Sequence, residues 1–285
     1  MIYNSARGEK LILEFYDSCL EELQIDYDEQ VVETRFGSTH VLILGPPDGK
    51  PIFMLHGGNS INLETLVWYL PLSKKYRIYA PDLIGHPGKS AQVQLSIKDL
   101  SYGQWAADVV EAFGLAPVVF HGTSYGGSIT LYTGAYKPKI IEKAILVVPG
   151  SIAMASKLTM ATKVFGPLMM YKLLGGRKQL EQFVRQIAKE PSEVTIKGFQ
   201  YSFDYLKMND LLPTISKEKL EGFQAETLLF AADKDIFFPA NKVVPKSKDI
   251  IPNLKNIVVL ENSTHYPTPE LIDDINQQTQ DFLGL

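Results

Sequence analysis

The sequence predicts an α/β fold built on a mostly parallel eight-stranded sheet, with helices on both faces and a helical insertion in its second half. Short apolar runs alternate with segments of helical periodicity over residues 1–150. This alternation is typical of parallel strands joined by crossover helices. It stops after residue 150 and resumes near residue 226, which indicates an insertion between two strands of one sheet.

The elements follow from periodicity, taken in chain order. An amphipathic helix is predicted over about residues 5–24, and two strands within 31–44, joined around Gly37-Ser38. Later strands are continuous apolar runs, typical of strands buried on both faces. These runs are 51–58, 76–83, 117–122, 141–150, 226–233 and 256–263, and the helical patterns cover about 62–74, 98–114, 125–137 and 270–283.

Residues 151–222 contain no strand pattern and are too long for a simple loop. We expect them to form a helical cap inserted into a core made of residues 1–150 and 223–285. The cap would lie over the carboxyl edge of the sheet, where open α/β sheets bind ligands. The methionine and aromatic residues of this block are consistent with an adaptable apolar pocket, although residues at this helical spacing more often belong to ordinary core, and none of them is singled out as substrate-binding. They are Met154, Met160, Phe165, Met169, Met170 and Tyr171.

Composition excludes several classes of protein. The 285 residues are 45% hydrophobic and 21% charged, with a formal net charge of −4 and no basic block, which argues against a nucleic-acid or anionic-membrane partner. The single cysteine, Cys19, permits no internal disulfide and favours a reducing compartment. Without a secretory signal or an apolar run of membrane-spanning length, we expect a cytoplasmic protein with no membrane span. The oligomeric state is not indicated.

The stretch Gly122-Thr123-Ser124-Tyr125-Gly126 matches the pattern G-x-S-x-G. In this pattern a serine occupies a strained turn between a strand and a helix, and flanking glycines relieve clashes. A strand pattern precedes Ser124 and a helix pattern follows it, which is the context that the motif requires. We therefore predict that Ser124 is a nucleophile and that the N–H of Tyr125 faces a developing oxyanion.

A serine nucleophile needs a general base, and the base needs an orienting carboxylate. Of the five histidines, His265 follows the last predicted strand and should lie at the same sheet edge as Ser124. Asp233 and Asp235 follow the preceding strand. The order serine, acid, histidine is the one used with this motif. One aspartate should bond the imidazole, while the other should be solvated.

Five stretches together resemble the α/β-hydrolase superfamily, and more closely its small cap-bearing serine esterase-like members. They are "MLHGG" (54–58), "APDLIGHPGKS" (80–90), "HGTSYGG" (121–127), "AADKDIFFP" (231–239) and "ENSTHYP" (261–267). In that family the acid lies four residues before a proline, so the resemblance implies Asp235, which precedes Pro239. It also implies Gly58 as the second oxyanion donor beside Tyr125, with Asn59 as a less favoured donor or substrate contact.

Two other ligand sites are disfavoured by the sequence. His56 and His121 end strands expected to be neighbours, but no carboxylate or cysteine shares their spacing as a metal site would require. Gly88-Lys89-Ser90 resembles a phosphate loop, but the glycine required five residues before Gly88 is replaced by Leu83. We expect neither a metal nor a cofactor.

The resemblance implies a serine hydrolase that cleaves a small or medium carboxylic ester, or a related acyl substrate, through an acyl-enzyme on Ser124. A serine at this position argues against the branches that use aspartate, the haloalkane dehalogenases and epoxide hydrolases. Thioesterase, lactonase, lipase and carbon–carbon bond hydrolase activities remain alternatives. So does a non-catalytic ligand-binding or signalling protein that retains the triad, because a triad permits chemistry without showing its use. The expected partner is a small acyl molecule.

Overall fold

Eight strands form one sheet in the structure, a computed structural model that describes residues 1–284. The strands are β1 (Tyr27–Thr34), β2 (Gly37–Leu44), β3 (Lys50–Leu55), β4 (Tyr76–Pro81), β5 (Val118–Thr123), β6 (Ile141–Val147), β7 (Glu226–Ala232) and β8 (Leu254–Leu260). Their order is β1-β2-β4-β3-β5-β6-β7-β8. β2 is antiparallel to both of its neighbours, and the other neighbouring pairs are parallel. The predicted mostly parallel eight-stranded sheet is confirmed.

Helices cover both faces of the sheet, as predicted. They are α1 (Ala6–Glu22), α2 (Leu63–Leu66), α3 (Ser101–Ala112), α4 (Tyr125–Tyr136), α5 (Lys157–Thr159), α6 (Gly166–Leu174), α7 (Arg177–Ile187), α8 (Glu193–Tyr205), α9 (Ala240–Ile250) and α10 (Pro269–Leu283). A 3₁₀ segment, Val67–Lys74, continues α2. None of the helices in the described residues combines the length and apolarity that a bilayer crossing requires.

Strand β3 shows how the core is divided between the two faces. Phe53 and Leu55 pack into the apolar cluster shared with α3, α4 and α9, whereas Ile52 and Met54 pack into the cluster shared with α1 and α10. Successive side chains of a strand point to opposite faces, so a run buried on both sides must be apolar throughout. This burial explains why the central strands could be predicted from continuous apolar runs.

Three local predictions differ from the structure. The first hairpin closes at Arg35 and Phe36, with Thr34 paired to Gly37, rather than around Gly37-Ser38. β1 begins four residues before the predicted start at residue 31, and its side chains are largely exposed, so hydropathy gives no signal there. Helix α9 was not predicted, because Pro245 interrupts an otherwise amphipathic pattern inside it.

Residues 151–222, called here the inserted segment, connect β6 to β7 and contain α5, α6, α7 and α8. A short π-helix, Met160–Phe165, joins α5 to α6. The segment has its own apolar cluster, which includes Val164, Phe183 and Phe203. Backbone hydrogen bonds tie it to the loops that follow β7 and β8: Ala155 N–H donates to Phe237 O, and Tyr266 N–H donates to Ile187 O.

Candidate active site

Ser124 lies at the sharp turn between β5 and α4, with φ +53° and ψ −110°. A Cβ atom on Gly122 would lie 2.5 Å from the carbonyl oxygen of Gly126, and one on Gly126 would lie 2.2 Å from that of Leu55. Only glycine fits such approaches, so the two glycines of the motif permit the turn. Ser124 N–H also donates to Val147 O at 2.9 Å, which fixes the turn to the neighbouring strand.

His265 connects Ser124 to an aspartate. Its Nε2 lies 2.9 Å from Ser124 Oγ, and its Nδ1 lies 2.7 Å from Asp235 Oδ2. Both His265 and Asp235 are buried, at 5% and 3% exposure. The other carboxylate oxygen of Asp235 accepts hydrogen bonds from the N–H groups of Phe237 and Phe238 at 2.7 and 3.1 Å. With Nδ1–H donating to Asp235, Nε2 is free to accept the serine proton.

Asp233 has a different position from Asp235. Its side chain is exposed, and its Oδ1 accepts a hydrogen bond from Ser263 N–H at 3.0 Å. That contact ties the end of β7 to the loop carrying His265 but does not reach the imidazole. Of the two aspartates considered from the sequence, the structure therefore brings Asp235 to His265.

The loop after β3 and the start of α4 face each other beside Ser124. Gly126 N–H donates to His56 O at 3.0 Å, and a Cβ on Gly58 would lie only 2.9 Å from the Tyr125 ring. Among residues 1–284, neither Gly58 N–H nor Tyr125 N–H donates a hydrogen bond. The first N–H groups of a helix have no partner within it. Both predicted donors therefore remain available beside Ser124.

Asn59 lines the pocket, yet its polar groups already have protein partners. Its side-chain amide donates to Asn209 O at 3.1 Å and accepts from Asn209 N–H at 2.7 Å. Its carbonyl accepts from Ser202 Oγ at 2.7 Å. These bonds join the loop after β3 to the inserted segment, whereas a substrate contact by the same amide would have to replace them.

His86 is a residue of the site that sequence reasoning missed. Its Nδ1 accepts a hydrogen bond from Asn59 N–H at 2.8 Å, and its ring packs 4.7 Å from that of Tyr125. Burial lowers the pKa of His86 well below its usual value, so the ring stays neutral and able to accept. Its partner Asn59 lies 27 positions away in the sequence, so no local pattern reveals this contact.

The two histidines weighed as metal ligands are both buried. His56 Nε2 accepts from Leu83 N–H at 2.9 Å and Nδ1 donates to Gly57 O at 2.7 Å, so neither nitrogen is free. The His121 ring packs 4.2 Å from that of Tyr69. Burial lowers the pKa of His56 to about 4 and that of His121 to about 3. Within residues 1–284, no group of three or more histidine, cysteine or acidic side chains is arranged to hold a metal ion.

A cavity of about 290 Å³ opens in front of Ser124, between the sheet edge and the inserted segment. Met160 and Phe165, two of the six side chains predicted to form a cap pocket, line it. Met169 and Met170 instead face solvent, because they lie on the outer side of α6. The aromatic wall comes from later helices that the sequence did not single out. Its residues are Phe183, Phe199 and Phe203.

Comparison with known proteins identifies the family. Residues 52–274 match the Alpha/beta hydrolase family, and the chain belongs to it. The chain is 24% identical to Carboxylesterase YbfK of Bacillus subtilis over 94% of its length and 92% of the relative's.

Two solved structures have the same fold. The naproxen esterase (carboxylesterase NP) from Bacillus subtilis superposes with a TM-score of 0.80 at 20% identity, covering 95% of this chain and 96% of the other. Carboxylesterase CesB (YbfK) from the same organism superposes with a TM-score of 0.82 at 20% identity, covering 98% and 99%.

Proposed function

We propose that the protein is a serine hydrolase that cleaves a carboxylic ester through an acyl-enzyme formed on Ser124. The observation that carries this proposal is the continuous chain of contacts from Ser124 Oγ to His265 Nε2 at 2.9 Å and from His265 Nδ1 to Asp235 at 2.7 Å. It ends at a pocket with a largely apolar lining, as expected for a small-molecule site. The names of the carboxylesterase relatives favour an ester over the other acyl substrates.

In this mechanism His265 takes the Ser124 proton as Oγ attacks the ester carbonyl, and it returns that proton to the leaving alcohol. Asp235 keeps His265 in the tautomer that accepts at Nε2 and stabilises the imidazolium that forms. Water then attacks the acyl-enzyme with His265 as base. The N–H groups of Gly58 and Tyr125 would hold the oxyanion. Removing one such donor typically lowers kcat by about 10²- to 10³-fold.

The inserted segment would act as a cap in this mechanism. Its aromatic side chains form the wall opposite Ser124 and restrict water around the reacting carbonyl. A cavity of about 290 Å³ accommodates a small or medium ester. Thioesters, lactones and activated carbon–carbon bonds share the same acyl chemistry and belong in the substrate panel.

The proposal is tested with short p-nitrophenyl esters and a fluorophosphonate probe. We expect hydrolysis of at least one ester and covalent labelling at Ser124, with both lost in Ser124→Ala. Mass spectrometry of the labelled peptide locates the modified residue. Absence of labelling together with no turnover of any ester, thioester or lactone would refute the enzyme hypothesis and favour a ligand-binding protein that retains the triad.

A further inference from the structure

Glu64, in α2, is a buried carboxyl group on the wall of the same cavity. It is 8% exposed and packs against α8 at Gly198, where a Cβ atom would lie only 2.4 Å from Glu64 Oε1. Its carboxyl pairs with no cation among residues 1–284, and the backbone of Ile61 is the group that stabilises its charge. The mechanism proposed above does not use it.

The surroundings of Glu64 provide no counter-charge. Burial raises the pKa of Glu64 to about 8. Its neighbours Cys19 and Tyr266 are neutral at pH 7, since burial and the Glu64 charge both raise their pKa values. The Lys197 amine, on the adjacent helix, lies 5.1 Å above the Phe15 ring and is not paired with Glu64. With this pKa, Glu64 is mostly protonated at pH 7 in the empty cavity, and a cation bound beside it would favour the ionised carboxylate.

Three aromatic residues line the same cavity as this carboxyl. Trp68 follows Glu64 by one helical turn, Phe199 follows Gly198, and Tyr266 is close enough for the Glu64 charge to raise its pKa. The Trp68 and Tyr266 rings meet edge to face at 4.9 Å, and those of Phe199 and Tyr266 lie 5.9 Å apart. All three side chains line the cavity that contains Ser124.

We infer that Glu64, Trp68, Phe199 and Tyr266, called here the Glu64 subsite, bind a positively charged ammonium group of the substrate. The carboxylate supplies the opposite charge, and the aromatic faces add cation–π attraction, which is strongest where water is excluded. The ammonium in turn supplies the counter-charge that favours ionised Glu64. This inference rests on the proposed ester hydrolysis, because it concerns the substrate of the same cavity.

Two pairs of matched esters test the inference. One pair carries trimethylammonium or its tert-butyl carbon isostere at the end of the acyl chain, as p-nitrophenyl esters. The other pair carries the same two groups on the alcohol. We expect the ammonium member of at least one pair to be preferred by about tenfold in kcat/KM. Glu64→Gln should abolish that preference, chiefly by raising KM for the ammonium ester.

Asp210→Asn is the matched control, since Asp210 also lines the cavity but is solvent-exposed. Its substitution should leave the ammonium preference unchanged. The inference would be overturned by equal rates for both members of each pair. It would also be overturned if the ammonium preference survived Glu64→Gln or disappeared in Asp210→Asn. A methoxy-terminated ester that wild type and Glu64→Gln both prefer to the carbon isostere would also overturn the inference. A neutral acid and an amide can each donate a hydrogen bond, so this result would assign Glu64 to hydrogen bonding and not to charge.

A binding measurement separates this inference from the proposed function. Calorimetric titration of tetramethylammonium into Ser124→Ala requires no turnover and should show binding that the added Glu64→Gln substitution removes. Binding without hydrolysis of any ester would refute the proposed function and support the subsite. Hydrolysis of the carbon isosteres without tetramethylammonium binding or ammonium preference would support the function and refute the subsite.

Discussion

The two sides of the cavity are built by different means. On the sheet side, backbone contacts fix the position of Ser124, including close approaches at Gly122 and Gly126 that leave no space for a methyl group. On the side of the inserted segment, the wall is made of aromatic side chains packed edge to face. Phe183 lies 5.1 Å from Phe203 and 6.2 Å from Phe199, measured between ring centroids.

This difference separates two properties of the proposed enzyme. The geometry of proton transfer depends on the sheet side, where backbone hydrogen bonds hold Ser124 and the Asp235 carboxylate and a small displacement is costly. The choice of substrate depends on the inserted segment, where apolar side chains of similar volume can replace one another. Substitutions on the sheet side should therefore lower kcat, and substitutions on the opposite wall should mainly change KM.

The largest effect should come from the aspartates that follow β7. Asp235→Asn should lower kcat by about 10⁴, because the amide no longer favours the His265 tautomer that accepts at Nε2. Asp233→Asn should leave activity largely intact, since the exposed Asp233 contacts Ser263 N–H and not the imidazole. Steady-state kinetics on one p-nitrophenyl ester checks both variants, and the reverse outcome would overturn the assignment of the acid.

An intermediate effect is expected at His86, which positions the loop carrying Gly58. His86→Leu removes the acceptor for Asn59 N–H and should lower kcat roughly 10- to 100-fold while KM changes little. His86→Asn places an amide oxygen near the position of Nδ1 and should restore part of the loss. A change confined to KM, or no rescue by asparagine in a folded protein, would show that His86 only fills space.

The sequence predicted the features that depend on local pattern. Buried parallel strands produce continuous apolar runs, and the turn at Ser124 needs glycines at fixed spacing, so both can be recognised from neighbouring residues. His86 and Glu64 were missed because their importance depends on burial and on distant partners: Asn59 for His86, and Gly198 for Glu64. Periodicity does not record which side of an inserted helix faces the cavity.

The smallest effect should come from the wall opposite Ser124. Phe183→Leu removes part of a buried ring and should lower the free energy of unfolding by about 1–2 kcal/mol. It should raise KM for bulky esters by up to about tenfold, since the pocket loses apolar contacts, while kcat stays close to wild type.

Leu173→Ala, in the same segment but 74% exposed and outside the cavity, should change neither constant. If Phe183→Leu instead lowered kcat as strongly as His86→Leu, the inserted segment would have to hold the reacting groups in place, and the separation of rate from selectivity between the two walls would be wrong.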